Sequence, residues 1–453
     1  MSSAKSIPFG LALGAAATLC QVLAVREFLP VAAGSEISIG LFLCAWLLCV
    51  GAGAQLARRT GARATGLCAV AGLSIVLFPV AVEILRRHHV LLPIATGDLP
   101  GPGLALLLGL IGAAPAALAN GYLFAAGSTL SGQDERDMMR IYMWEAAGAA
   151  AAGLLFAFVL AGRVNPFSLF LVSGGLLLCA SGWFTGRWRA LLIPAGLLLV
   201  GLALTPLPAA WNRASLARSV ATLPGAGTMK TCADTSQGRL CLSAQEGMTR
   251  LYRDGVYDYS WPDPWSRAPA VLLSLAAHPS PRKVMLIGGG VPDRLEAALE
   301  AGADEVIAVY MDDREHALLT GSGWRQPHPS RLRVVNDDPR AVLRRRAIRP
   351  DAILLSVPLP TSSAANRLFT VEFYREAAAA LTGEGIFVVQ VPGSANVLDE
   401  EGVRLLSDIR ATLRAAFPQV DVLPGTDTLF IATKRGSPNL SAGLLTARLR
   451  RRG

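Results

Sequence analysis

About seven apolar stretches of some twenty residues each fill the first 210 positions of this 453-residue chain, and no other feature restricts its fold as much. They run over 7–29, 36–57, 64–85, 102–126, 140–161, 165–184 and 190–209. A helix of roughly twenty apolar residues matches the hydrocarbon thickness of a bilayer. Residues 1–210 therefore predict an α-helical transmembrane bundle of about seven helices, with the lipid bilayer as its surroundings. Composition agrees: 52% of the residues are hydrophobic, 17% are charged and mean hydropathy is +0.43, all displaced from soluble averages. The runs are rich in glycine and alanine, which lets helices pack closely in lipid. Ile7–Leu29 is too long for the apolar core of a cleavable signal peptide, and further apolar segments follow it, so none is expected.

Polar residues within such segments are the usual functional suspects. Gln21, Arg26 and Glu27 fall toward the end of the first stretch, Asn120 in the fourth, and Tyr142 and Glu145 at the opening of the fifth. The spacing of Tyr142, Glu145 and Gly148 allows one face toward the bundle interior. Alternatively, Glu145 caps a helix start near the headgroups, where an acid suits the helix dipole. Arg86, Arg87, His88 and His89 read as an interfacial loop, since adjacent histidines on a helix point in different directions and no partner ligands are evident. No paired broken helices of the secondary-transporter kind stand out. The bundle is an anchor, a scaffold or a conduit; a transporter or electron-transfer component stays open on the bundle alone, without a Cys-x-x-Cys-His haem motif.

From residue 211 the chain reads as soluble. Residues 211–227 suggest a linker or interfacial helix. Short strands with turns follow at 228–233, 239–243, 249–253 and 256–259, a small antiparallel sheet within 228–265. From Arg282 onward apolar strands at 284–287, 305–310, 332–335, 352–357, 386–391 and 428–433 alternate with helical stretches at 292–301, 340–347, 371–381 and 400–415. That alternation predicts a doubly wound, mainly parallel sheet over 266–435, with ligands at the carboxyl ends of its strands. The run Arg282–Gly290, RKVMLIGGG, followed by an apolar strand ending at Val309–Asp312, is how a nucleotide-binding βαβ unit begins. The tail, 436–453, ends in Arg-Leu-Arg-Arg-Arg and reads as a terminal helix packed on the domain with a solvated basic end. The net charge of +9 is assigned to loops and tail facing lipid headgroups, and no nucleic-acid motif is present.

Leu368-Phe369-Thr370, Glu372-Phe373-Tyr374 and Gly385–Gln390 (GIFVVQ), together with the triple glycine, resemble spermidine synthase. The whole chain is similar to bacterial membrane proteins that carry a spermidine-synthase-like domain behind a multi-helix bundle. The resemblance implies an α/β Rossmann-like (methyltransferase-like) domain with a small N-terminal antiparallel β-sheet, in a multi-pass protein of the bacterial inner membrane. It also implies decarboxylated S-adenosylmethionine, or S-adenosylmethionine itself, as cofactor and transfer of an aminopropyl group to putrescine. That chemistry needs carboxylates to hold cationic amines and to orient the attacking one. Position by position they are replaced. The Asp after the triple glycine is Val291, the ribose-binding Glu is Tyr310, the catalytic Asp is Ser356, and its companion is Leu359. The substrate-gripping Tyr-His-Glu reads Ser266-Arg267-Ala268. Gly288, Gly289, Gly290, Asp312, Asp337 and Asp338 remain as a vestigial nucleoside pocket. No catalytic residue and no metal site is assigned.

Five of the seven cysteines lie in the apolar stretches, while Cys232 and Cys241 sit on two arms of one expected hairpin, about equidistant from its turn. Cross-strand neighbours come close enough for a disulfide, and a disulfide means an oxidising compartment; two free thiols are the other reading. Seven spans with a cytoplasmic N-terminus place the soluble domain in the periplasm, and basic loops 58–63 and 187–189 inside, as the positive-inside rule asks. The expected function is a non-catalytic binding or assembly component with a protein partner in the membrane or periplasm, or a second copy of itself. An active aminopropyltransferase or another S-adenosylmethionine-type transferase is the alternative.

Overall fold

The computed structural model of the chain describes residues 5–32, 35–61, 63–92, 100–131, 135–235, 238–263, 265, 267–357, 359–360, 362–394, 396–435 and 440–452. They divide into two units, one of residues 1–228 with 254–256, the other of 229–253 with 257–453.

The first unit is helical: α1 (Ser6–Phe28), α2 (Glu36–Thr60), α3 (Ala64–Arg86), the single turn α4 (His88–Leu91), α5 (Pro102–Ser131), α6 (Glu135–Leu155), α7 (Pro166–Thr185), α8 (Arg189–Ala203) and α9 (Leu207–Val220). Local sequence sets the ends. Asn165 starts α7 by accepting from the amide of Phe167 at 2.9 Å, with Pro166 in the first turn, where its missing donor is not needed. Six of the described helices are long and apolar enough to cross a membrane. The seventh expected stretch, 190–209, is not one helix. The chain breaks after α8 and bends by 65° into α9, because Pro206 and Pro208 cannot continue the hydrogen-bond ladder. Close packing rests on glycine. A Cβ on Gly14 of α1 would run into the Glu145 carbonyl of α6, and one on Gly121 of α5 into the Val50 carbonyl of α2.

Three expectations for this unit are corrected. Glu145 caps nothing, since α6 begins ten residues earlier at Glu135. Nor do Tyr142 and Gly148 share an inward face: Tyr142 is 57% exposed, whereas Gly148 is buried against α1. Residues six apart sit about 120° apart on a helix of 3.6 residues per turn. Arg86 is no loop cation either. It ends α3, buried, and grips buried Glu27 of α1 with two bonds, Nε to Oε2 at 2.8 Å and Nη2 to Oε1 at 2.7 Å. Nη2 also donates to Asn212 Oδ1 of α9 at 2.8 Å.

The second unit holds two sheets. β1 (Thr228–Thr235), β2 (Gly238–Gln245), β3 (Met248–Arg253) and β4 (Val256–Trp261) form a four-stranded sheet in sequence order, β2 and β3 antiparallel. The small sheet is thus not N-terminal in the chain. It lies in the C-terminal part, because strand-forming residues begin only after the last apolar helix. Cys232 and Cys241 join β1 to β2 as a disulfide.

The second sheet comprises β5 (Lys283–Gly288), β6 (Glu305–Tyr310), β7 (Leu332–Asn336), β8 (Ala352–Ser356), β9 (Ile386–Pro392), β10 (Gln419–Leu423) and β11 (Asp427–Thr433) in the order β10-β11-β9-β8-β5-β6-β7. The central strands are parallel, while β11 runs antiparallel to both β9 and β10. This is a Rossmann-like, methyltransferase-type mixed sheet. Its strands read as continuous apolar runs because both faces are covered. Val284, Leu286, Val306, Ala308 and Leu354 enter one core, and Met285, Ile287, Ile307, Val309 and Leu355 enter the other. The first core is covered by α10 (Arg267–Ala276) and α11 (Val291–Glu300), the second by α13 (Pro339–Arg345), α15 (Val371–Ala380) and α16 (Glu400–Arg414). α12 (Asp313–Gly321), the short α14 (Ser363–Asn366) and the terminal α17 (Ala442–Arg452) complete the unit. α12, α14 and β10 have no counterpart in the sequence reading. α17 packs on α10, where Arg448 Nη1 donates to the carbonyls of Ala276 and Ala277 at 2.8 and 2.9 Å and so caps the helix end.

Candidate strand-end site

The turn after β5 shows why glycine occupies it. Gly288 has φ +94° and would drive a Cβ into the Ser356 carbonyl of β8, which also accepts from the Gly289 amide at 3.0 Å. Gly290, at φ +73°, is the left-handed residue that starts α11. A Cβ on Gly289 would stand 2.7 Å from Cδ1 of the Tyr259 ring. The close approach that this glycine permits is therefore used by a side chain of β4. Behind the turn, fully buried Arg294 donates to the carbonyls of Gly289 at 2.9 Å and Leu354 at 2.8 Å. Val291 is fully buried, as the first residue of α11.

At the end of β6, Tyr310 is 1% exposed and its Oη has no hydrogen-bond partner among the described residues. Burial pushes its phenol up, with Glu315 reinforcing the shift and Arg294 opposing it. Asp312 is equally buried. It caps α12 through the Arg314 amide at 3.0 Å, accepts from Thr235 Oγ1, and lies 3.9 Å from Arg253 Nη1. Glu315, one turn further, takes Arg253 Nη2 at 2.8 Å on one oxygen and Tyr259 Oη at 2.9 Å on the other. Arg253 also meets Asp258 at 3.2 Å. Burial pulls the guanidinium down, yet Glu315 and Asp258 together hold it above its ordinary value. Burial raises the Glu315 carboxyl against the pull of Arg253, and burial followed by Glu315 raises Tyr259.

After β7, Asp337 accepts from the Asp338 amide at 2.7 Å and from Arg345 Nη1 at 2.6 Å. Asp338 caps α13 through the Arg340 amide at 3.0 Å and takes Arg367 Nη2 at 2.7 Å. Ser356 ends β8 beside Gly288, and Leu359 packs into the second core. Ser266 and the Arg267 side chain lie outside the described residues.

The strand ends thus bring together Gly288, Gly289, Gly290, Val291, Tyr310 and Ser356, with Asp312 one step beyond β6 and Asp337 and Asp338 beyond β7. A general base must lie within hydrogen-bond reach of the proton it removes, and the acids at these strand ends are already engaged. Asp312 and Glu315 already serve a guanidinium, a hydroxyl and a helix cap, and Asp337 and Asp338 are tied to arginines. Among the described residues no group of three His, Cys, Asp or Glu is arranged to hold a metal ion. Arg253, Asp258, Tyr259 and Glu315 were missing from the sequence reading. One signal was available: Asp312 and Glu315 have the Asp-x-x-Glu spacing of a helix start.

No protein-family model matches the chain. It is 26% identical over 434 residues to the polyamine aminopropyltransferase of Mycobacterium tuberculosis, which covers 90% of this chain and 82% of that protein. To polyamine aminopropyltransferase 1 of Aquifex aeolicus it is 28% identical over 184 residues, 39% of this chain and 60% of that protein. Among solved structures it is similar to a spermidine synthase in complex with the transition-state analogue AdoDATO, at 20% identity and a TM-score of 0.39, over 47% of this chain and 75% of the other. The mycobacterial match is too long for the α/β half alone and extends into the apolar helices. The α/β unit is a spermidine-synthase-like domain.

Proposed function

We propose that this chain is a membrane-embedded, non-catalytic relative of spermidine synthase that acts as a binding or assembly component for another protein of the membrane or periplasm. The observation that carries this reading is the filling of the strand-end site by the chain's own side chains. Tyr259 lies on Gly289, where a bound nucleoside would need room, and Arg253 occupies the nearby carboxylates. Tyr310, Val291, Ser356 and Leu359 stand where aminopropyl transfer needs acids, so the residues present do not fit decarboxylated S-adenosylmethionine. Fold and function separate in this way because a site can change while its scaffold is kept.

The path of the bundle supports a periplasmic second unit. α8 lies antiparallel on α7, with Gly196 against Gly175 and Leu192 against Gly182, so its far end comes level with the start of α7. Read as a seventh crossing, it lets the chain leave the bundle at the end opposite to α1's start. That starting end carries Arg58, Arg59, Arg63, Arg136, Arg140, Arg187 and Arg189, which favours the cytoplasmic side for it. The Cys232–Cys241 disulfide supports an oxidising compartment for the second unit.

A second reading has its own support. The relatives matched over most of this chain are named polyamine aminopropyltransferases, which favours an active aminopropyltransferase or another S-adenosylmethionine-type transferase. Calorimetric titration of the purified full chain with S-adenosylmethionine and its decarboxylated form, beside an assay for spermidine from putrescine, separates the two. The non-catalytic reading expects neither heat nor product, and spermidine formation overturns it.

A further inference from the structure

Arg253 is the feature of the strand-end site that the loss of chemistry does not by itself explain. Its side chain, 18% exposed, reaches three carboxylates from different elements: Glu315 of α12 at 2.8 Å, Asp258 of β4 at 3.2 Å, and Asp312 before α12 at 3.9 Å. Glu315 and Asp258 are held by two separate nitrogens, Nη2 and Nε. This is fork-like recognition, which a planar guanidinium performs and an ammonium cannot. A hydroxyl shell surrounds the acids, with Tyr259 on Glu315 and Thr235 on Asp312. Tyr310 adds an independent sign. Its Oη is buried, without a hydrogen-bond partner among the described residues, at the strand end two residues before Asp312.

We infer that Asp258, Asp312 and Glu315 form a buried guanidinium site and that Arg253 is its built-in occupant, an internal plug supplied by the small sheet. Three acids from two elements meet one guanidinium, where a simple ion pair has a single acid. Leaving buried carboxylates without a cation is strongly unfavourable, so the plug closes the site in the folded chain. A variant lacking the guanidinium exposes a site for a free one, while the unaltered chain has none to offer. The inference deepens the proposed function and rests on the reading that the site is self-filled.

The test uses the full chain in detergent micelles with ethylguanidinium as probe and tetramethylammonium, which has no N–H, as control. Arg253→Ala is expected to lower the unfolding midpoint by roughly 5–10 °C. Ethylguanidinium is expected to restore much of that loss and to give a saturable calorimetric signal, neither of which occurs with tetramethylammonium or with the unaltered chain. Adding Glu315→Gln to Arg253→Ala is expected to weaken the recovery. No recovery by ethylguanidinium, or equal recovery by both cations, overturns the inference. If Arg253→Ala does not fold, Arg253→Lys and Arg253→Met decide. The plug requires the lysine variant, which keeps the charge, to be the more stable, and equal midpoints overturn it. Spermidine formation by the unaltered chain would overturn the proposed function, whereas failure of rescue without spermidine formation removes only the plug.

Discussion

Each unit buries an arginine among acids, but the two arrangements differ in stoichiometry. In the helical unit Arg86 meets one carboxylate, Glu27, in a two-bond fork, and Asn212 adds a neutral acceptor. In the α/β unit Arg253 meets three carboxylates, one from β4 and two from the cap and first turn of α12. The first group is balanced. It ties α1, α3 and α9 together through Nε and Nη2, while Nη1 of Arg86 is buried with no hydrogen-bond partner among the described residues. The second draws three acids to one guanidinium and sits where sheets of this type bind ligands.

The largest expected effect tests the balanced group. Arg86→Leu takes the cation from a carboxylate that is 4% exposed, and a loss of about 3–5 kcal/mol is expected in denaturant unfolding of the detergent-solubilised chain. Arg86→Leu with Glu27→Leu should regain most of it, because the pair, once removed whole, leaves no buried charge. Equal losses in the single and double variants would break the comparison.

A smaller effect sharpens the second group. Tyr259→Phe removes a donor to charged Glu315 and keeps the ring that lies on Gly289, so a loss of about 1.5–3 kcal/mol is expected. A variant as stable as the parent would show that the phenol contributes nothing to holding the acid.

The smallest effect concerns pH, where two acids of the α/β unit should act with opposite signs. Burial raises Glu315 in the folded chain, so the folded state holds this proton longer than the unfolded one. Stability from Glu315 is fullest at low pH and falls as pH rises above the ordinary glutamate value. Asp337 is lowered, first by the Asp338 amide and then by Arg345. Its contribution is present above the ordinary aspartate value and is lost as pH falls through the depressed one. Unfolding midpoints between pH 3 and 7 should therefore flatten at the acid end for Asp337→Asn. Glu315→Gln should remove a decline toward neutrality. The same slope change in both variants would contradict the assignment.

Much of the α/β fold was legible because its strands are buried on both faces and read as uninterrupted apolar runs, Val284–Ile287 and Ile353–Leu355 among them. β10 was not, since Gln419–Leu423 is an edge strand of only five residues whose polar and apolar alternation is too short to stand out beside the continuous apolar runs. The long apolar helices were visible as lengths of apolar chain, but the partner of Glu27 was not, as Arg86 lies 59 positions away and looks like a loop cation. The strand-end residues were legible from the triple glycine and the strand spacing. What fills them was not, because Arg253 and Tyr259 come from another sheet, and Arg253 reaches Glu315 across 62 positions. Periodicity reports which face a residue takes within its own element; it carries no information about a contact of that range.

The break between α8 and α9 has a consequence for how the chain is made. With only 15 residues, α8 is shorter than the roughly twenty that partition into lipid on their own. Its glycine face fits α7, which precedes it by three residues. On the membrane-spanning reading proposed above, the two would leave the insertion machinery together as a helical hairpin, α8 entering the bilayer only as α7 accepts it. Placement of everything downstream would then be decided late in synthesis, by whether a single short helix finds its neighbour.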